Sequence, residues 1–517
     1  MTLTNLLTEQ ASQSLSHKIV SSEQVKALEP IAAQNAGCSM FALMQRAGEA
    51  ALNALRQQWP QANNIVVLAG NGNNAGDGYI LATLAKQQGM NVVVICQQIQ
   101  KELTGDAKQA QKAWQNINGA TQAFATFEPS QYDLIVDALL GTGVTGAVKP
   151  AFQSVINHVN QAKTPVLSID LPSGMQANTG QALPICIKAD LTVTFVATKP
   201  GLVSGIGKAY CGKLVFADLA VGSEFFALAT GTAQLVSWSM LQALPVRQAH
   251  QNKGSFGKLL CVGGNQGMAG AIRLSAESAL RCGVGLVKVH CHESSKLSIS
   301  ASCPEIMLTN NSLAAALKWC SCIIIGPGLG QDEWAQQQFF QVLTHLKQHP
   351  KPVIIDADAI NLLASNKEDR DILNTLAQLP ALVLTPHPGE ASRLLGCTIS
   401  QIENNRYLAS ENIAQEFQAG CVLKGAGTII HSHNVQQKPP CWICVGGNPG
   451  MATAGMGDLL TGIIGAFLAQ GLTAQQGAVY GVCAHSEAGD RVANQYGQRG
   501  MIASDLLQPL RAIVNGL

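Results

Sequence analysis

The sequence predicts an α/β protein with two different doubly wound domains. Short apolar runs alternate with helical patterns along the 517 residues, and many of the runs end in glycine-rich stretches. Alternation of this kind is typical of parallel sheets that are covered by helices on both faces. The pattern loosens between about residues 221 and 251 and then begins again with new motifs. We therefore expect one domain over residues 1–242 and a second over residues 243–517.

The composition excludes several classes of protein. The chain has 33 basic and 32 acidic residues without a basic cluster, which argues against nucleic acid as a partner. No apolar run approaches the roughly 18 residues that a membrane span requires, so we expect a soluble protein. The fifteen cysteines stand singly in apolar segments, which is typical of buried thiols in a reducing compartment. We expect a cytoplasmic protein that acts on small molecules and forms a homo-oligomer.

The first half opens with a helical pattern that precedes six strand-like runs. Ser21 and Gln24 have capping-box spacing, and an amphipathic pattern follows them to about Trp59. Further helical patterns occupy YILATLAKQQG and GDAKQAQKAWQNI. The predicted strands are NIVVLAG, NVVVIC, DLIVDALL, PVLSID, LTVTFVA and KLVFADL.

The second half contains a fresh series of strands and helices. Its predicted strands are KLLCVGG, LVKVHC, CIIIGPG, PVIIDADA, ALVLTPH and CVLKGAGTII. Helices are predicted in AGAIRLSAESALRCG, after Ser400, and near Asp458, where the pattern suits a fully buried helix. Cys441 to Cys444 is a C-x-x-C pair that alternates like a strand and lacks a second pair, which favours a strand over a zinc or redox site.

Three polar strand ends are expected to meet in the first half. GNGNNAGDGY follows one strand, Asp137 precedes the glycine loop of residues 141–147, and Asp170 and Ser173 follow a third strand. In open α/β sheets, ligands bind beyond the carboxyl ends of the strands, where free amides face anions. The two adjacent asparagines of the first loop also suit a hard cation. Helix caps and left-handed turns are the alternative explanation of each loop.

These loops resemble those of a known family. GNGNNAGDG, VDALLGTG, SIDLPSG and TKPG are similar in order and spacing to the signature stretches of NAD(P)H-hydrate epimerases, which implies a Rossmann-like three-layer α/β/α domain. The resemblance implies a potassium ion that is held by Asn74, Asp137 and Ser173. It also implies that the hydrated nicotinamide nucleotide is contacted by Asn73, Asn74, Ala75, Gly76, Asp77, Gly141, Thr142, Gly143, Val144, Thr145, Gly146, Ala147 and Asp170.

Asp170 is the expected catalytic residue of this domain. Exchange of the two C6 epimers requires the hydroxyl to leave and return through an iminium-like cation, which a nearby carboxylate stabilises. The family usually has glycine at the position of Ala75, and the extra methyl group is compatible only with a negative φ.

One carboxylate of the second half has unusual surroundings. Asp458 is the only charged residue between Asn448 and Gly471, and it stands between a Gly-Met-Gly turn and an apolar helix. Such a carboxylate is either a helix N-cap or a general base beside a helix N-terminus that binds a phosphoryl group. LKGAGTII supplies a lysine and glycines that suit phosphates, which favours the base. His387 is either a ligand contact or a satisfied loop histidine.

The second half as a whole also resembles a known family. Its G-x-G-D is similar to that of the ribokinase-like superfamily. More narrowly, KGSFGKLL, GMAGA, GPGLG, DADAIN, PHPGE, LKGAGT and NPGMATAGMGDLLTG together resemble ADP- or ATP-dependent NAD(P)H-hydrate dehydratases, although Met456 stands where that family usually has serine.

The resemblance implies that the hydroxyl of the hydrate is phosphorylated and that phosphate then leaves. Asp458 would activate the hydroxyl. The nucleotide would be bound by Lys424, Gly425, Ala426, Gly427, Thr428 and Gly457, and the hydrate by Ala271, Gly328, His387 and Asp458. Mg²⁺ near Glu390 would compensate the phosphate charge.

A fusion of the two activities makes chemical sense. The first domain would interconvert the R and S hydrates of NADH and NADPH, and the second would dehydrate the S form with ADP or ATP. The alternative is a ribokinase-type small-molecule kinase fused to a nucleotide-binding or interaction module, because a binding fold does not by itself establish catalysis.

Overall fold

The computed structural model describes residues 6–8, 10, 15–99, 101–144, 146–310, 312–433 and 441–517. The chain divides into two compact units. The N-terminal unit comprises residues 14–234, and the C-terminal unit comprises residues 235–517 together with residues 1–13.

The division falls after Gln234, whereas the sequence suggests a boundary after Gln242. Residues just before the suggested boundary already belong to the C-terminal unit through their hydrogen bonds. Thr8 N donates to Met240 O at 2.9 Å, and Tyr480 Oη donates to Gln242 O at 2.8 Å. These hydrogen bonds connect Thr8 and the segment after Gln234 to the C-terminal unit.

The N-terminal unit alternates strands and helices. Its helices are α1 (Ser22–Asn35), α2 (Met40–Gln58), α3 (Asn73–Gln87), α4 (Gly105–Asn116), α5 (Pro150–Gln161), α6 (Ile206–Cys211) and α7 (Gly222–Leu228). Its strands are β1 (Lys18–Ile19), β2 (Asn64–Ala69), β3 (Asn91–Cys96), β4 (Ala120–Ala123), β5 (Leu134–Ala138), β6 (Val166–Ile169), β7 (Leu191–Phe195) and β8 (Lys213–Ala217). A further strand, β9 (Ala233–Val236), spans the division after Gln234.

Seven of these strands form a parallel sheet in the order β4-β3-β2-β5-β6-β7-β8. Successive residues of β2 join cores on opposite faces: Ile65 and Val67 pack with α2 and α3, and Val66 and Leu68 pack with α5. The sheet is therefore the middle layer of three, and the predicted Rossmann-like fold is confirmed. Its strand order reverses direction between β2 and β5, which makes their carboxyl ends the expected ligand crevice.

Each of the six predicted runs of the first half forms a strand, and two details differ. The long amphipathic pattern forms two helices, because Ser39 caps α2 by accepting a hydrogen bond from Ala42 N at 3.1 Å. Ser21 caps α1 through Gln24 N, as its spacing predicts. The edge strand β4 was not predicted because its sequence, ATQA, has no apolar run.

The C-terminal unit also alternates strands and helices. Its strands are β10 (Lys258–Val262), β11 (Leu286–His290), β12 (Met307–Leu308), β13 (Cys322–Ile325), β14 (Val353–Ile355), β15 (Leu382–Leu384), β16 (Gly420–Leu423), β17 (Thr428–His431) and β18 (Cys441–Cys444). Its helices are α8 (Ala269–Arg281), α9 (Lys296–Ser302), α10 (Leu313–Trp319), α11 (Glu333–Gln348), α12 (Ala357–Ser365), α13 (Arg370–Ala377), α14 (Pro388–Leu395), α15 (Ile399–Asn404), α16 (Arg406–Glu416), α17 (Met456–Ala469), α18 (Ala474–Tyr496) and α19 (Leu507–Ile513).

Within this unit the strand order is β18-β17-β16-β15-β14-β13-β10-β11-β12. The strands from β15 to β12 in this order are parallel, and β16 to β18 pair antiparallel. Helix α17 packs against one face of the sheet and between α8 and α18, and almost every side chain from Leu459 to Leu468 is buried. The apolar pattern after Asp458 therefore predicts this central helix correctly.

One predicted strand of the second half is two strands. CVLKGAGTII forms β16, a turn over residues 424–427, and β17, which runs back antiparallel. Gly425 and Gly427 have φ values of +147° and +68°, and this left-handed backbone reverses the chain. The CWIC segment forms β18, as predicted.

The cysteines of the chain are almost all buried. All fifteen cysteines are free thiols, and every one except Cys397 is buried. Among the helices that the structure describes, none is long and apolar enough to cross a membrane.

Candidate active sites

A cavity of about 630 Å³ lies at the carboxyl edge of the sheet in the N-terminal unit. It occupies the switch point between β2 and β5, where open α/β sheets bind ligands. The three polar strand ends therefore meet, as the sequence predicts. The predicted contact residues that line the cavity are Asn73, Asn74, Asp77, Gly141, Thr142, Gly143, Val144, Ala147 and Asp170.

Three predicted contacts have other positions. Ala75 and Gly76 are buried in the first turn of α3, and a Cβ on Gly76 would lie 2.6 Å from the Met44 sulfur. Ala75 is not among the residues with positive φ, so its methyl group is tolerated as expected. Gly146, with φ of +85°, turns the loop without lining the cavity. Thr145 lies outside the described residues.

Asn74, Asp137 and Ser173 are buried, and the backbone of Leu140 links Asn74 to Ser173. The Asp137 carboxylate accepts hydrogen bonds from Ser173 N at 2.8 Å and from Ser173 Oγ at 2.5 Å. Asn74 Nδ2 donates to Leu140 O at 3.1 Å. Asn74 Oδ1 is buried and has no hydrogen-bond partner among the described residues. Because a buried oxygen without a donor is costly, this atom fits a bound cation, and an all-oxygen donor set suits a hard one.

Asp170 forms a buried ion pair at the cavity wall. Its Oδ1 lies 2.5 Å from Lys199 Nζ, and their side chains are 16% and 1% exposed. Thr194 Oγ1 and Phe195 N also donate to Asp170 Oδ1, both at 3.3 Å. Asp170 has a left-handed φ of +65°, which aspartate tolerates better than most residues. Three donors therefore fix the position of this carboxylate on the cavity wall.

In the C-terminal unit, Asp458 lies in the first turn of α17 and is not its cap. Gly455, with φ of +87°, holds the N-cap position, and no side chain caps the helix. The helix-cap alternative for Asp458 is therefore wrong. Burial, with a further contribution from the charge of Asp356, raises the pKa of Asp458 to about 6 against the opposing effect of Lys424. A carboxyl group with this pKa is a competent base near neutral pH.

Lys424 links the nucleotide loop to the acidic residues around Asp458. Its Nζ lies 3.0 Å from Asp356 Oδ1 and 3.7 Å from Glu390 Oε2. Burial lowers the pKa of Lys424, but the charges of Asp356 and Glu390 outweigh it and raise that pKa. Thr461 Oγ1 donates to Asp356 Oδ2 at 2.6 Å, which fixes the carboxylate from the other side.

The turn over residues 424–427 is shaped by a buried arginine. Arg406 Nη2 donates to Lys424 O at 3.2 Å, and a Cβ on Gly425 would lie 2.7 Å from the same nitrogen. A Cβ on Gly457 would lie 3.4 Å from Lys424 Nζ, so the start of α17 and this turn are adjacent. The predicted nucleotide contacts Lys424, Gly425, Ala426, Gly427, Thr428 and Gly457 therefore lie on two neighbouring loops.

The predicted hydrate contacts lie on three other loops of this unit. A Cβ on Gly328 would lie 3.1 Å from Ala271 Cβ, which brings the start of α8 beside the loop after β13. Ser275, one turn after Ala271, donates through Oγ to Asp458 O at 2.7 Å. His387 caps α14: its Nδ1 accepts from Gly389 N at 3.0 Å, and its Nε2 lies 3.2 Å from Glu390 Oε1.

Sequence reasoning did not assign roles to three residues of these sites. All three belong to motifs of the two family resemblances: Lys199 to TKPG, Asp356 to DADAIN and Thr461 to NPGMATAGMGDLLTG. Their partners are distant in sequence, and only the folded sheet identifies them. A charged residue inside an otherwise apolar strand end is the signal that could have singled out Lys199 and Asp356.

Known families match both units. The family described as YjeF-related protein N-terminus matches residues 40–201, and the family described as NAD(P)H-hydrate dehydratase matches residues 259–511. The bifunctional NAD(P)H-hydrate repair enzyme of Escherichia coli (strain K12) is 40% identical over 505 residues, which cover 97% of this chain and 95% of that protein. The corresponding enzyme of Coxiella burnetii is 40% identical over 499 residues, which cover 95% of this chain and 98% of that protein.

A solved structure is also similar to the second half. The ADP/ATP-dependent NAD(P)H-hydrate dehydratase of Bacillus subtilis, co-crystallised with ATP/Mg²⁺, is 27% identical. The match covers 53% of this chain and 94% of that chain, with a TM-score of 0.46.

Both sites combine loops that suit phosphate with groups that can move protons, so the chain is a two-site enzyme of nucleotide chemistry. The similarity over its full length makes the family plain: the chain belongs to the bifunctional NAD(P)H-hydrate repair enzymes. This membership favours a repair enzyme over the small-molecule kinase that the second half alone leaves open.

Proposed function

We propose that the N-terminal unit interconverts the R and S hydrates of NADH and NADPH, and that the C-terminal unit dehydrates the S form with ADP or ATP. The observation that supports this most is Asp458, which lies at the start of α17 with a raised pKa and beside the turn that carries Lys424. A base at that position can take the proton of the C6 hydroxyl as the nucleotide's terminal phosphoryl group is transferred to it. The C6–O bond then breaks with its electron pair on phosphate, and loss of a proton from C5 forms the C5=C6 double bond of the reduced nicotinamide.

The full-length chain incubated with a mixture of both hydrates tests the proposal directly. With ADP or ATP present, we expect complete recovery of the absorbance of the reduced nicotinamide, because the epimerase supplies the S form continuously. Without nucleotide, we expect only exchange of the two epimers, which chromatography can measure. Recovery that stops at the initial S fraction would contradict the epimerase, and phosphorylated hydrate that never yields reduced nicotinamide would favour a kinase.

The dehydratase site also calls for a divalent cation. Lys424 faces the carboxylates of Asp356, Glu390 and Asp458, so nucleotide phosphates would add charge to an acidic site. Mg²⁺ commonly takes one or two carboxylates together with phosphates and water. We infer that Mg²⁺ enters with the nucleotide and that Glu390 contributes to its site.

The rate of dehydration should fall in acid because Asp458 must be ionised to act as a base. Its pKa of about 6 predicts that kcat/KM is constant above that pH and falls about tenfold per pH unit below it. Nucleotide phosphates titrate in the same range, so Asp358→Asn is the control. The negative charge of Asp358 raises the pKa of Asp458, and its removal should move the acid limb to lower pH. A limb that stays in place would belong to the nucleotide.

We also propose that K⁺ is held by Asn74, Asp137 and Ser173 and that it orders the loop that binds the nucleotide. Replacing KCl by choline chloride at equal ionic strength should lower the epimerisation rate and the melting temperature of the N-terminal unit. Asn74→Ala removes the buried oxygen that lacks a donor, so it should weaken K⁺ binding by about tenfold or more. Equal rates and melting temperatures in both salts would contradict the site, and dehydration by the C-terminal unit serves as the internal control.

A further inference from the structure

Two carboxyl groups in the cavity of the N-terminal unit have no hydrogen-bond partner among the described residues. Glu29 lies on α1 and Asp77 on the first turns of α3, and both line the cavity of about 630 Å³ together with Asp170 and Lys199. Both side chains are half-buried. They differ in this respect from Asp170, which accepts three hydrogen bonds from Lys199, Thr194 and Phe195.

The charges around these two groups do not balance. Three carboxyl groups share the single buried ammonium of Lys199, and Asp170 already contacts that ammonium at 2.5 Å. Glu29 and Asp77 are therefore left without a cation of their own. Among the described residues, the other charged side chains that line the cavity are at exposed or half-exposed positions; they are Lys26, Asp106 and Lys149.

Burial favours the protonated form of both groups. Burial raises the pKa of Asp77 well above its ordinary value, and the charges of Asp170 and Glu29 raise it further. Burial also raises the pKa of Glu29, with Lys199 opposing and Asp170 adding to the effect. The charge of Glu29 thus acts on Asp77, so a proton on Glu29 favours the ionised form of Asp77.

We propose that Glu29 and Asp77, which line the same cavity beside Asp170, act as the general acid and the general base of the epimerisation, an inference that rests on the proposed function. The carboxylic acid protonates the C6 hydroxyl, and the C6–O bond breaks with its electron pair on the departing water. The lone pair of the ring nitrogen forms the C=N bond of the iminium ion, which Asp170 stabilises. Water then adds to the other face of C6, and the other carboxyl group of the pair, as the carboxylate, takes a proton from that water. No oxidant or reductant is required.

Glu29 is the new catalytic residue in this assignment. It lies outside residues 40–201, the segment that the N-terminal family match covers, and no glycine-rich motif surrounds it. Asp170 does not take the same role, because its Oδ1 already contacts the ammonium of Lys199 at 2.5 Å. The two kinds of carboxyl group thus divide the work: one holds the cation and the other pair moves the proton.

Glu29→Gln in the full-length chain tests the pair. The amide has nearly the same shape but cannot exchange a proton, so kcat for R-to-S exchange should fall at least about tenfold, with KM changed less than about threefold. The rate of the wild-type chain should fall at high pH as the acid form is lost. In Glu29→Gln that limb should move to lower pH, because Asp77 loses a negative neighbour. Glu49→Gln, at an exposed position on α2, is the matched control and should behave as wild type.

A second pair of variants keeps the inference testable if Glu29→Gln folds poorly. Asp77→Asn should give a similar loss of kcat, and the double variant should be no worse than either single one, because the two groups act as a unit. Losses that multiply in the double variant, a loss confined to KM, or an unchanged pH limb would each overturn the pair. If the wild-type chain itself exchanges the epimers no faster than buffer, the proposed function fails, which is a different result from an active wild type and an equally active Glu29→Gln.

Discussion

Asp458→Asn is expected to lower the nucleotide-dependent recovery of reduced nicotinamide by about 10³-fold. The amide cannot accept the proton of the C6 hydroxyl, while its size and its position in the first turn of α17 are unchanged. The effect should lie in kcat, since the loops that bind the nucleotide and the hydrate are intact. Absorbance of the reduced nicotinamide, followed with the S hydrate and either ADP or ATP, measures the loss.

Two controls separate a lost base from a damaged fold. Asp371→Asn makes the same chemical change at a surface position, where the carboxylate is 71% exposed and pairs with Lys347. Since exposed ion pairs contribute little, this variant should retain full activity. Epimer exchange by the N-terminal unit should be unchanged in both variants. Recovery by Asp458→Asn at a rate within about threefold of wild type would rule out Asp458 as the base.

The strands of both sheets could be predicted because each one is marked by a short apolar run in the sequence. An apolar run such as NIVVLA has both faces buried in the structure, and the buried helix α17 follows from a window with a single charge. The meeting of Asn74, Asp137 and Asp170 could also be predicted, since parallel strands carry their carboxyl ends to one edge. What the sequence indicates well is therefore the backbone and the edge at which ligands bind.

The partners of the charged groups could not be predicted in the same way. Asp170 and Lys199 are 29 residues apart, and Asp356 and Thr461 are 105 residues apart. These contacts depend on the order of the strands in the sheet and on the direction in which each side chain points, and neither can be read from a short stretch of sequence. The hairpin of β16 and β17 was missed for a related reason, because an apolar run broken by LKGAG fits one strand or two. Glu29 gave no signal, since a glutamate on an amphipathic helix is usually a solvated residue.

Asp170→Asn is expected to abolish epimer exchange and to destabilise the N-terminal unit. Removal of one partner of a buried ion pair leaves the other charge without compensation, here Lys199 with 1% of its side chain exposed. This typically lowers the free energy of unfolding by about 3–5 kcal/mol. The substitution should add no backbone strain, because asparagine tolerates the left-handed φ of +65° as aspartate does. Thermal unfolding and chromatography of the two hydrates measure the two effects.

A loss of activity that accompanies a loss of stability has two explanations, and the double variant Asp170→Asn/Lys199→Met separates them. With both charges gone, the buried site no longer contains an uncompensated ion, so most of the stability should return. Epimer exchange should remain at least about 10²-fold below wild type, because the carboxylate that stabilises the iminium ion is absent. With ADP or ATP, this variant should dehydrate the S hydrate normally and leave the R hydrate behind. A stable double variant that consumes both hydrates at the wild-type rate would mean that Asp170 holds the fold together and takes no part in the chemistry.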